Sequence, residues 1–221
     1  MSAEPVLTAR HEDGLDVPLL VWRLAEPLLA ISSAPLGGGI GLRHWVVNAT
    51  VPMSYRRDDP DAHLAEMAAR AGLTGPGVGL LTGVDVAEVV TAEDGGVQAW
   101  ATVGLGEPIW AAAPPAAAVS GPGTVNIVVR LPVRLSPAAL VNAVATATEA
   151  KAQALWELGL PATGTSTDAV SVLCPAGGPE ASYGGPRSAW GAPLARAVHA
   201  AVRTGGGTGQ GSGMPWSERP R

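Results

Sequence analysis

Phenylalanine is absent from this chain of 221 residues, and cysteine and lysine each occur once, as Cys174 and Lys151. A single cysteine excludes an internal disulfide and a cysteine-rich metal site. Cys174 ends an apolar run, so we expect it to lie in the core. The four histidines are scattered without a His-x-x-x-His pair, which argues against a metal centre. We therefore predict no metal site and no cofactor held by the protein.

Positive charge is scarce as well. Lysine and arginine total 14 against 19 aspartates and glutamates, which gives a net charge of −5 without any basic cluster. Such a chain lacks the electrostatic footprint of a nucleic-acid-binding protein. No secretory signal is visible, and prolines and charges interrupt the longest apolar run, residues 15–31, too often for it to span a bilayer. We expect a cytoplasmic protein without nucleic-acid or membrane partners, and the sequence leaves a homo-oligomer open.

Strand-like and helix-like patterns are mixed along the chain, which predicts an α/β (mixed α+β) fold in a single domain over residues 15–203. Several early strands with short links favour a largely antiparallel mixed sheet with helices packed on it. Residues 1–14 are polar and without pattern, so we expect an N-terminal extension. The glycine-rich residues 204–221 predict a disordered tail.

Two helices have clear start signals, because Asp59-Pro60 and Ser136-Pro137 each combine a capping residue with a first-turn proline. Glycine is expected to end them, near residues 71 and 158. The remaining predicted elements are strands at residues 18–24, 28–33, 43–51, 78–90, 97–104, 124–131 and 169–173 and a helix at 190–202. Residues 25–27 are interpreted as a turn between the first two strands.

The two halves of the chain contain the same features in the same order. Each has an asparagine on a strand, a proline-started helix, a glycine that ends it and a Thr-x-x-Asp segment. These are Asn48, Pro60, Gly72 and residues 82–85 in the first half, and Asn126, Pro137, Gly159 and residues 165–168 in the second. An internal duplication would bring both Asn–Asp pairs to one cleft. The alternative is chance, since strand–capped helix–strand units are common.

The single lysine lies on an apolar helical face. At about 100° per residue, the residues that share its side are Leu140, Val144, Thr148, Leu155 and Leu158. The opposite, polar side contains Asn142, Thr146, Glu149, Gln153 and Glu157. An unpaired ammonium on the apolar side would be costly, so we predict that a carboxylate, Asp168 or Asp85, pairs with Lys151. The alternatives to a site residue are a lysine that extends to solvent at the helix edge and a purely structural ion pair.

Three hydroxyls and a carboxylate follow one another at Thr165, Ser166, Thr167 and Asp168, directly after the hinge residue Gly164. Such a set is able to bind a polar substrate, position water or supply a nucleophile; the alternative is a hydroxyl-capped turn.

The dipeptides Gly123-Thr124 and Gly164-Thr165 are also of the kind cut in self-processing hydrolases that expose an N-terminal threonine. Gly-Thr pairs are, however, frequent in glycine-rich chains.

Two further glycine-rich segments, Gly37-Gly38-Gly39 and Tyr183-Gly184-Gly185, lie outside these motifs. The first lacks the Gly-Lys-Ser/Thr ending of a phosphate-binding loop, which argues against nucleotide binding. Both would suit loops that contact a bulky ligand.

The chain resembles the CbiZ-type adenosylcobinamide amidohydrolases from about residue 32 to residue 202. The motifs that carry the resemblance are Gly37-Gly38-Gly39, Val47-Asn48, Leu81-Thr82-Gly83, Thr102–Leu105, Gly123–Ile127, Ala147–Lys151, Gly164–Val170, Tyr183-Gly184-Gly185 and Ala195–Val198. The resemblance implies hydrolysis of the amide that joins the aminopropanol arm to the corrin ring of adenosylcobinamide. The product would be adenosylcobyric acid for cobalamin salvage, and cobalt would enter only within this corrinoid substrate.

The resemblance assigns no catalytic residues, so their roles are hypotheses from chemistry. Amide hydrolysis needs a nucleophile, an oxyanion stabiliser and an acid for the leaving amine. Asp168 or Asp85 would act as a base or orient the hydroxyl of Thr165, Ser166 or Thr167, and Lys151 would orient that carboxylate or protonate the amine. The predicted substrate-binding residues are Asn48, Asn126, Thr124, Thr82, Glu149, Gly38, Gly164 and Tyr183.

In this hypothesis Asn48, Asn126 and the backbone amides near Gly164 hold the oxyanion. The glycine loops and tryptophans such as Trp45 or Trp190 contact the corrin. The competing classes are a non-catalytic corrinoid-binding protein, a metal-dependent amidohydrolase and a self-processing threonine hydrolase.

Overall fold

The computed structural model describes residues 4–114, 123–207 and 215–218. Three α-helices and ten β-strands form within these residues. The strands are β1 (Val6–Glu12), β2 (Leu15–Ser32), β3 (Gly39–Thr50), β4 (Gly77–Thr82), β5 (Val90–Asp94), β6 (Val97–Gly104), β7 (Thr124–Arg130), β8 (Arg134–Leu135), β9 (Ala169–Pro175) and β10 (Glu180–Ala181). The helices are α1 (Pro60–Arg70), α2 (Pro137–Glu157) and α3 (Gly191–Gly207). No helix in the described ranges is long and apolar enough to cross a membrane.

Eight of the strands form one mixed sheet in the order β4-β3-β2-β9-β7-β6-β5, with β1 paired to the first half of β2. Two neighbouring pairs, β3 with β4 and β7 with β9, are parallel, and the others are antiparallel. Strands β8 and β10 form a separate two-stranded sheet. The predicted mixed α/β fold with a largely antiparallel sheet is therefore confirmed.

Alternating side chains give the sheet two buried faces. On β7, Val125, Ile127 and Val129 pack with α2 and α3 on the outer face, whereas Val128 belongs to a different cluster on the inner face. The outer face of β2 and β3 packs in the same way against α1. Because strands covered on both faces need apolar residues at nearly every position, this explains why β7 has no regular polar alternation.

The sheet bends until the inner faces of its two ends pack against each other. Val46 and Leu80, from β3 and β4, share a cluster with Trp100 and Val128 from β6 and β7. The rings of Trp22 and Trp100 meet edge to face with centroids 5.9 Å apart. This bend brings the ends of strands that are distant along the chain into one region.

The helix starts agree with the predicted signals, although the capping differs between them. Ser136 accepts a hydrogen bond from the backbone N–H of Ala139 at 3.1 Å, as an N-cap should. The side chain of Asp59 makes no such bond, because both its oxygens accept from Arg57 at 2.7 and 2.8 Å. The predicted cap at Asp59 is therefore wrong in its chemistry, while the helix start is right.

Two of the predicted strand assignments are wrong. Residues 25–27 form no turn, because β2 runs unbroken from Leu15 to Ser32 with a bulge between Arg23 and Leu28. On one edge its first half pairs with β1 and its second half with β9, and on the other edge β3 pairs with both halves. The predicted strand at 78–90 divides into β4, a short 3-10 helix at Val86–Glu88 and β5.

Both chain ends differ from expectation. Residues 6–12 form β1, which pairs with β2 instead of extending away from the domain. Helix α3 continues to Gly207, and its last turn packs closely on β6, where a Cβ atom at Gly205 would lie 2.8 Å from Val103 Cγ2. The backbone N–H of Trp216 donates to the carbonyl of Gly83 at 3.0 Å. The rest of the predicted tail, residues 208–214 and 219–221, lies outside the described residues.

The predicted duplication holds only in outline. The units β3–α1–β4 and β7–α2–β9 both join parallel neighbours through a helix. The Thr-x-x-Asp segments are not equivalent, because Thr82 ends β4 and Asp85 follows it, whereas Asp168 immediately precedes β9. The two aspartates therefore do not occupy matching positions.

Candidate active site

Lys151 and Asp168 form an ion pair between α2 and the turn before β9. Only 7 % of the lysine side chain and 10 % of the aspartate side chain are exposed. The prediction that Lys151 is buried and has a carboxylate partner is confirmed. The predicted helix face is right at Leu140 and Leu155, but Thr148 is exposed. Thr146, predicted on the polar side, is buried and donates to the carbonyl of Gly184.

The carboxylate of Asp168 accepts four hydrogen bonds, one at each of the positions that a carboxylate offers. Oδ2 accepts from Lys151 Nζ and from the backbone N–H of Thr165 at 3.0 Å. Oδ1 accepts from the N–H of Val125 at 2.8 Å and lies 2.5 Å from Thr165 Oγ1. Charge-assisted bonds of this kind are the stronger ones in proteins. Asp168 thus ties α2, the start of β7 and the turn before β9 together, and it presents no vacant oxygen to a water molecule.

Gly164 makes room for this ion pair. A Cβ atom at Gly164 would overlap Asp168 Oδ2 and would lie 2.5 Å from Lys151 Nζ. The carbonyl of Gly164 also accepts from the N–H of Ile109 at 2.8 Å, which fixes the turn from its other side. A glycine hinge was predicted here, but the structure gives the glycine a packing role against charged atoms.

Two threonine hydroxyls contact the carbonyl oxygen of Gly123, and a third contacts one of them. Thr165 Oγ1 lies 2.7 Å and Thr167 Oγ1 3.0 Å from Gly123 O. Thr167 Oγ1 also lies 2.6 Å from Thr124 Oγ1. Because each hydroxyl has one proton, Thr124 donates to Thr167 when Thr167 donates to Gly123.

A pocket of about 220 Å³ opens beside these hydroxyls. Its polar lining comes from Thr82, Thr124, Asn126 and Thr167, and its apolar lining includes Leu80 and other aliphatic residues. The polar groups come from the end of β4, the start of β7 and the turn before β9. Converging polar groups in an otherwise apolar pocket are typical of a binding site.

A chain of buried amides runs behind the pocket. Asn126 Nδ2 donates to Asn48 Oδ1 and to the carbonyl of Leu81, both at 2.9 Å. Asn48 Nδ2 in turn donates to Thr102 Oγ1 at 3.0 Å. Both protons of Asn126 Nδ2 are thereby engaged, so this arrangement favours a structural role over the oxyanion role proposed from the sequence.

The other predicted site residues lie outside this lining, as far as the described residues show. Asp85 lies after β4, where its side chain accepts from the N–H of Ala87 at 2.9 Å and caps the short 3-10 helix. Ser166 and Glu149 are exposed, and so is Tyr183, at 76 %. Gly38 is exposed within a loop that Arg43 binds through backbone carbonyls.

Trp45, proposed as a corrin contact, is 5 % exposed and donates to the carbonyl of Gly75 at 3.0 Å. Trp190 is half-buried against the core that includes α2 and α3. The fully buried Cys174 agrees with its predicted core position, and burial raises the pKa of its thiol.

Sequence reasoning missed an exposed aromatic pair near the site. The rings of Trp110 and Trp156 have centroids 6.2 Å apart, and the side chains are 44 % and 64 % exposed. Trp110 follows Ile109, which hydrogen-bonds with both Gly164 and Thr163. The sequence shows two tryptophans at these positions, but it does not show that their rings are exposed or that they meet.

A second polar cluster connects β1 to α1. His63 Nε2 lies 2.8 Å from Glu12 Oε1, and Arg10 Nε donates to Glu12 Oε2 at 2.7 Å. The ring of Tyr55 stacks on His63 at 5.6 Å. Burial acts to raise the pKa of Glu12, but the hydrogen bonds and charges of Arg10 and His63 outweigh it and lower that pKa. Among the residues the structure describes, no three His, Cys, Asp or Glu side chains come together as a metal-ligand set.

Comparison with known proteins identifies close similarity over most of the chain. The family model described as adenosylcobinamide amidohydrolase matches residues 4–212. A Methanosarcina mazei protein named adenosylcobinamide amidohydrolase is 32% identical over 182 residues, which cover 78% of this chain and 88% of that protein. A Halobacterium salinarum protein of the same name is 37% identical over 194 residues, which cover 83% of this chain and 82% of that protein.

Proposed function

The chain belongs to the adenosylcobinamide amidohydrolase family, and on that basis we propose that it hydrolyses the amide joining the aminopropanol arm to the corrin ring of adenosylcobinamide. The products are adenosylcobyric acid and free aminopropanol, and the acid returns to cobalamin synthesis by salvage. The protein itself holds no cofactor, and cobalt enters as part of the substrate. The enzyme works in the cytoplasm on a small-molecule partner.

The observation that supports this reaction most is the hydroxyl pair of Thr124 and Thr167 at the pocket. An amide is a poor electrophile, so its hydrolysis needs an oriented nucleophile and a path for the proton. Thr124 Oγ1 is the proposed nucleophile, and its proton passes through Thr167 Oγ1, 2.6 Å away, to the departing amine nitrogen of the substrate. Both residues line the pocket.

The buried ion pair serves this pocket by positioning it. Asp168 holds the N–H of Val125, next to the proposed nucleophile, and the N–H of Thr165, two residues before Thr167. Lys151 neutralises this carboxylate inside the protein. Fixing reacting groups within tenths of an ångström is a large part of catalysis. Lys151 and Asp168 therefore act in this proposal as positioning residues.

The pocket size indicates which part of the substrate enters. Its volume of about 220 Å³ is below the roughly 300–1,000 Å³ that enclose a drug-sized ligand, and a corrinoid is larger still. We infer that the amide arm enters while the corrin ring stays at the mouth. The exposed rings of Trp110 and Trp156, beside the turn that holds Gly164, are the proposed contact for its flat face.

Incubation with adenosylcobinamide tests the function directly. Hydrolysis releases aminopropanol and leaves a corrinoid with a free carboxylate, both measurable by mass spectrometry. The competing function, a corrinoid-binding protein, predicts a tight complex from which unchanged adenosylcobinamide is recovered. Recovery of unchanged adenosylcobinamide after a long incubation with excess enzyme would reject hydrolysis.

A further inference from the structure

The carbonyl group of Gly123 has an unusual set of neighbours for a backbone group. Two side-chain hydroxyls, of Thr165 at 2.7 Å and Thr167 at 3.0 Å, point to its oxygen. Thr165 Oγ1 shares its proton between this oxygen and Asp168 Oδ1, 2.5 Å away. Donors arranged around a carbonyl oxygen stabilise the negative charge that forms when its carbon is attacked. The arrangement is thus that of an oxyanion hole around a peptide bond of the protein itself.

The hydroxyl of the next residue, Thr124, joins this hydrogen-bonded group through Thr167. Thr124 Oγ1 is within 2.6 Å of Thr167 Oγ1, which lies 3.0 Å from Gly123 O. A proton leaving Thr124 can pass to Thr167 while the proton of Thr167 passes to Gly123 O. The attack then needs no external base, because the hydroxyls relay the proton to the developing oxyanion.

We propose that the chain cleaves its own peptide bond between Gly123 and Thr124. Thr124 Oγ1 forms a bond to the carbonyl carbon of Gly123, and the C–N bond to Thr124 breaks. The hydroxyl proton passes through Thr167 and Gly123 O to the departing nitrogen, which gives an ester and a free amine. Water then hydrolyses the ester, so that Gly123 ends as a carboxylate and Thr124 regains its hydroxyl.

Packing requires glycine before the proposed cleavage point. A Cβ atom at Gly123 would lie 2.9 Å from both the carbonyl oxygen of Gly104 and Thr165 Cγ2. Any larger residue would push the carbonyl away from the hydroxyls that surround it. The threonine after it is the first residue of β7 and pairs with Gly104 on β6. A new amino terminus would therefore be held by the sheet.

The dipeptide Gly164-Thr165 lacks this geometry. The carbonyl of Gly164 accepts from the backbone N–H of Ile109 at 2.8 Å, as in an ordinary β-bridge. The Oγ1 of Thr165 is directed to Gly123 O and to Asp168. Its backbone N–H is held by Asp168 as well. The structure therefore distinguishes two sites that the sequence cannot.

Cleavage would complete the proposed active site, and this step rests on the proposed function. A free α-amino group on Thr124 lies next to its own hydroxyl and is able to act as its general base. The same hydroxyls of Thr165 and Thr167 would then surround the oxygen of the substrate amide in place of Gly123 O. A single structural arrangement would thus serve self-cleavage first and substrate hydrolysis afterwards.

Mass spectrometry of the purified full chain under denaturing conditions tests the cleavage. We expect two fragments, one ending at Gly123 and one beginning at Thr124, whose summed mass exceeds the intact chain by one water. The variant Thr124→Val should stay intact, Thr124→Ser should still cleave, and the exposed Thr148→Val should cleave like the wild type. Sequencing the new amino terminus distinguishes this cut from one made by a contaminating protease elsewhere in the connector.

The results separate the two proposals. Intact wild-type protein that releases aminopropanol would overturn self-cleavage and leave the proposed function standing. Cleaved protein without hydrolase activity would support the cleavage and overturn the function. A cut at Gly164–Thr165, or cleavage that persists in Thr124→Val, would overturn the assignment of Thr124.

Discussion

Lys151 and Asp168, 17 residues apart in the sequence, meet inside the protein, where their charged atoms are almost completely shielded from water. The carboxylate gathers backbone donors from the start of β7 and from the turn before β9. The threonine hydroxyls at the pocket mouth therefore depend on a pair of charges that face away from solvent.

Removing one member of the pair should destabilise the protein and slow catalysis. Lys151→Met leaves the charge of Asp168 without its cation, and breaking a buried pair typically costs about 3–5 kcal/mol. Asp168→Asn should lower turnover by roughly 10²-fold, because the turn loses its anchor and the hydroxyls are misplaced. The double variant should regain part of the stability. Urea unfolding and aminopropanol release measure the two effects separately.

The exposed ion pair between Arg196 and Asp94 is a matched control. It has two short hydrogen bonds, at 2.6 and 2.8 Å. However, 60 % of the Arg196 side chain and 31 % of the Asp94 side chain are exposed to solvent. Asp94→Asn should change neither stability nor turnover noticeably. If Lys151→Met behaved like Asp94→Asn in both measurements, the central position given to the buried pair would be wrong.

Enlarging the turn residue next to the pair should disturb the same site. In Gly164→Ala, the new methyl group would collide with Asp168 Oδ2 and Lys151 Nζ. We expect a loss of roughly 1–3 kcal/mol of stability and a turnover reduced by up to about 10²-fold. Gly177→Ala is the control, since a Cβ atom there meets nothing within 4 Å. Equal stability and turnover of the two variants would argue against close packing of the ion pair on Gly164.

Acid should weaken the contact between β1 and α1. The pKa of Glu12 is lower in the folded protein than its ordinary value, so the unfolded chain binds protons more readily at this residue. The stability contributed by Glu12 is therefore complete above the ordinary carboxyl pKa of about 4.3 and is lost as the pH falls through the folded value. The free energy of unfolding, measured from pH 6 downward, should fall more steeply with pH for the wild type than for Glu12→Gln. Identical curves would show that Glu12 is not linked to folding.

Chelation should leave hydrolysis intact. The proposed chemistry uses hydroxyls, a peptide carbonyl and water, so prolonged dialysis against a chelator followed by assay should give unchanged turnover. Activity that disappears on chelation and returns with a divalent cation would favour the metal-dependent class.

Local signals in the sequence were sufficient for the helices and for the ion pair. Ser136-Pro137 marks the start of α2, and the helical period alone places Lys151 on a buried face. The sequence did not reveal that β2 is continuous, because residues 25–27 have no strand pattern of their own and lie in the bulge between two paired stretches of one long strand.

The arrangement of the hydroxyls was out of reach for a different reason. Thr124 and Thr167 are separated by 43 positions and meet only because β7 and β9 are parallel neighbours. The same holds for Asn48 and Asn126, which are 78 positions apart and whose mutual hydrogen bond argues against the predicted oxyanion role. Sequence patterns identify polar residues at strand ends, but the hydrogen-bond partners of these residues depend on how the strands pair and how the sheet bends.

Aminopropanol release by Thr124→Val, compared with the wild type and with the exposed threonine variant Thr148→Val, tests the central claim most directly. The account predicts that Thr124→Val folds, binds the corrinoid and loses turnover by at least roughly 10³-fold, as hydrolases do without their nucleophile, while Thr148→Val stays at the wild-type rate. A folded Thr124→Val protein that releases aminopropanol at the wild-type rate would contradict it.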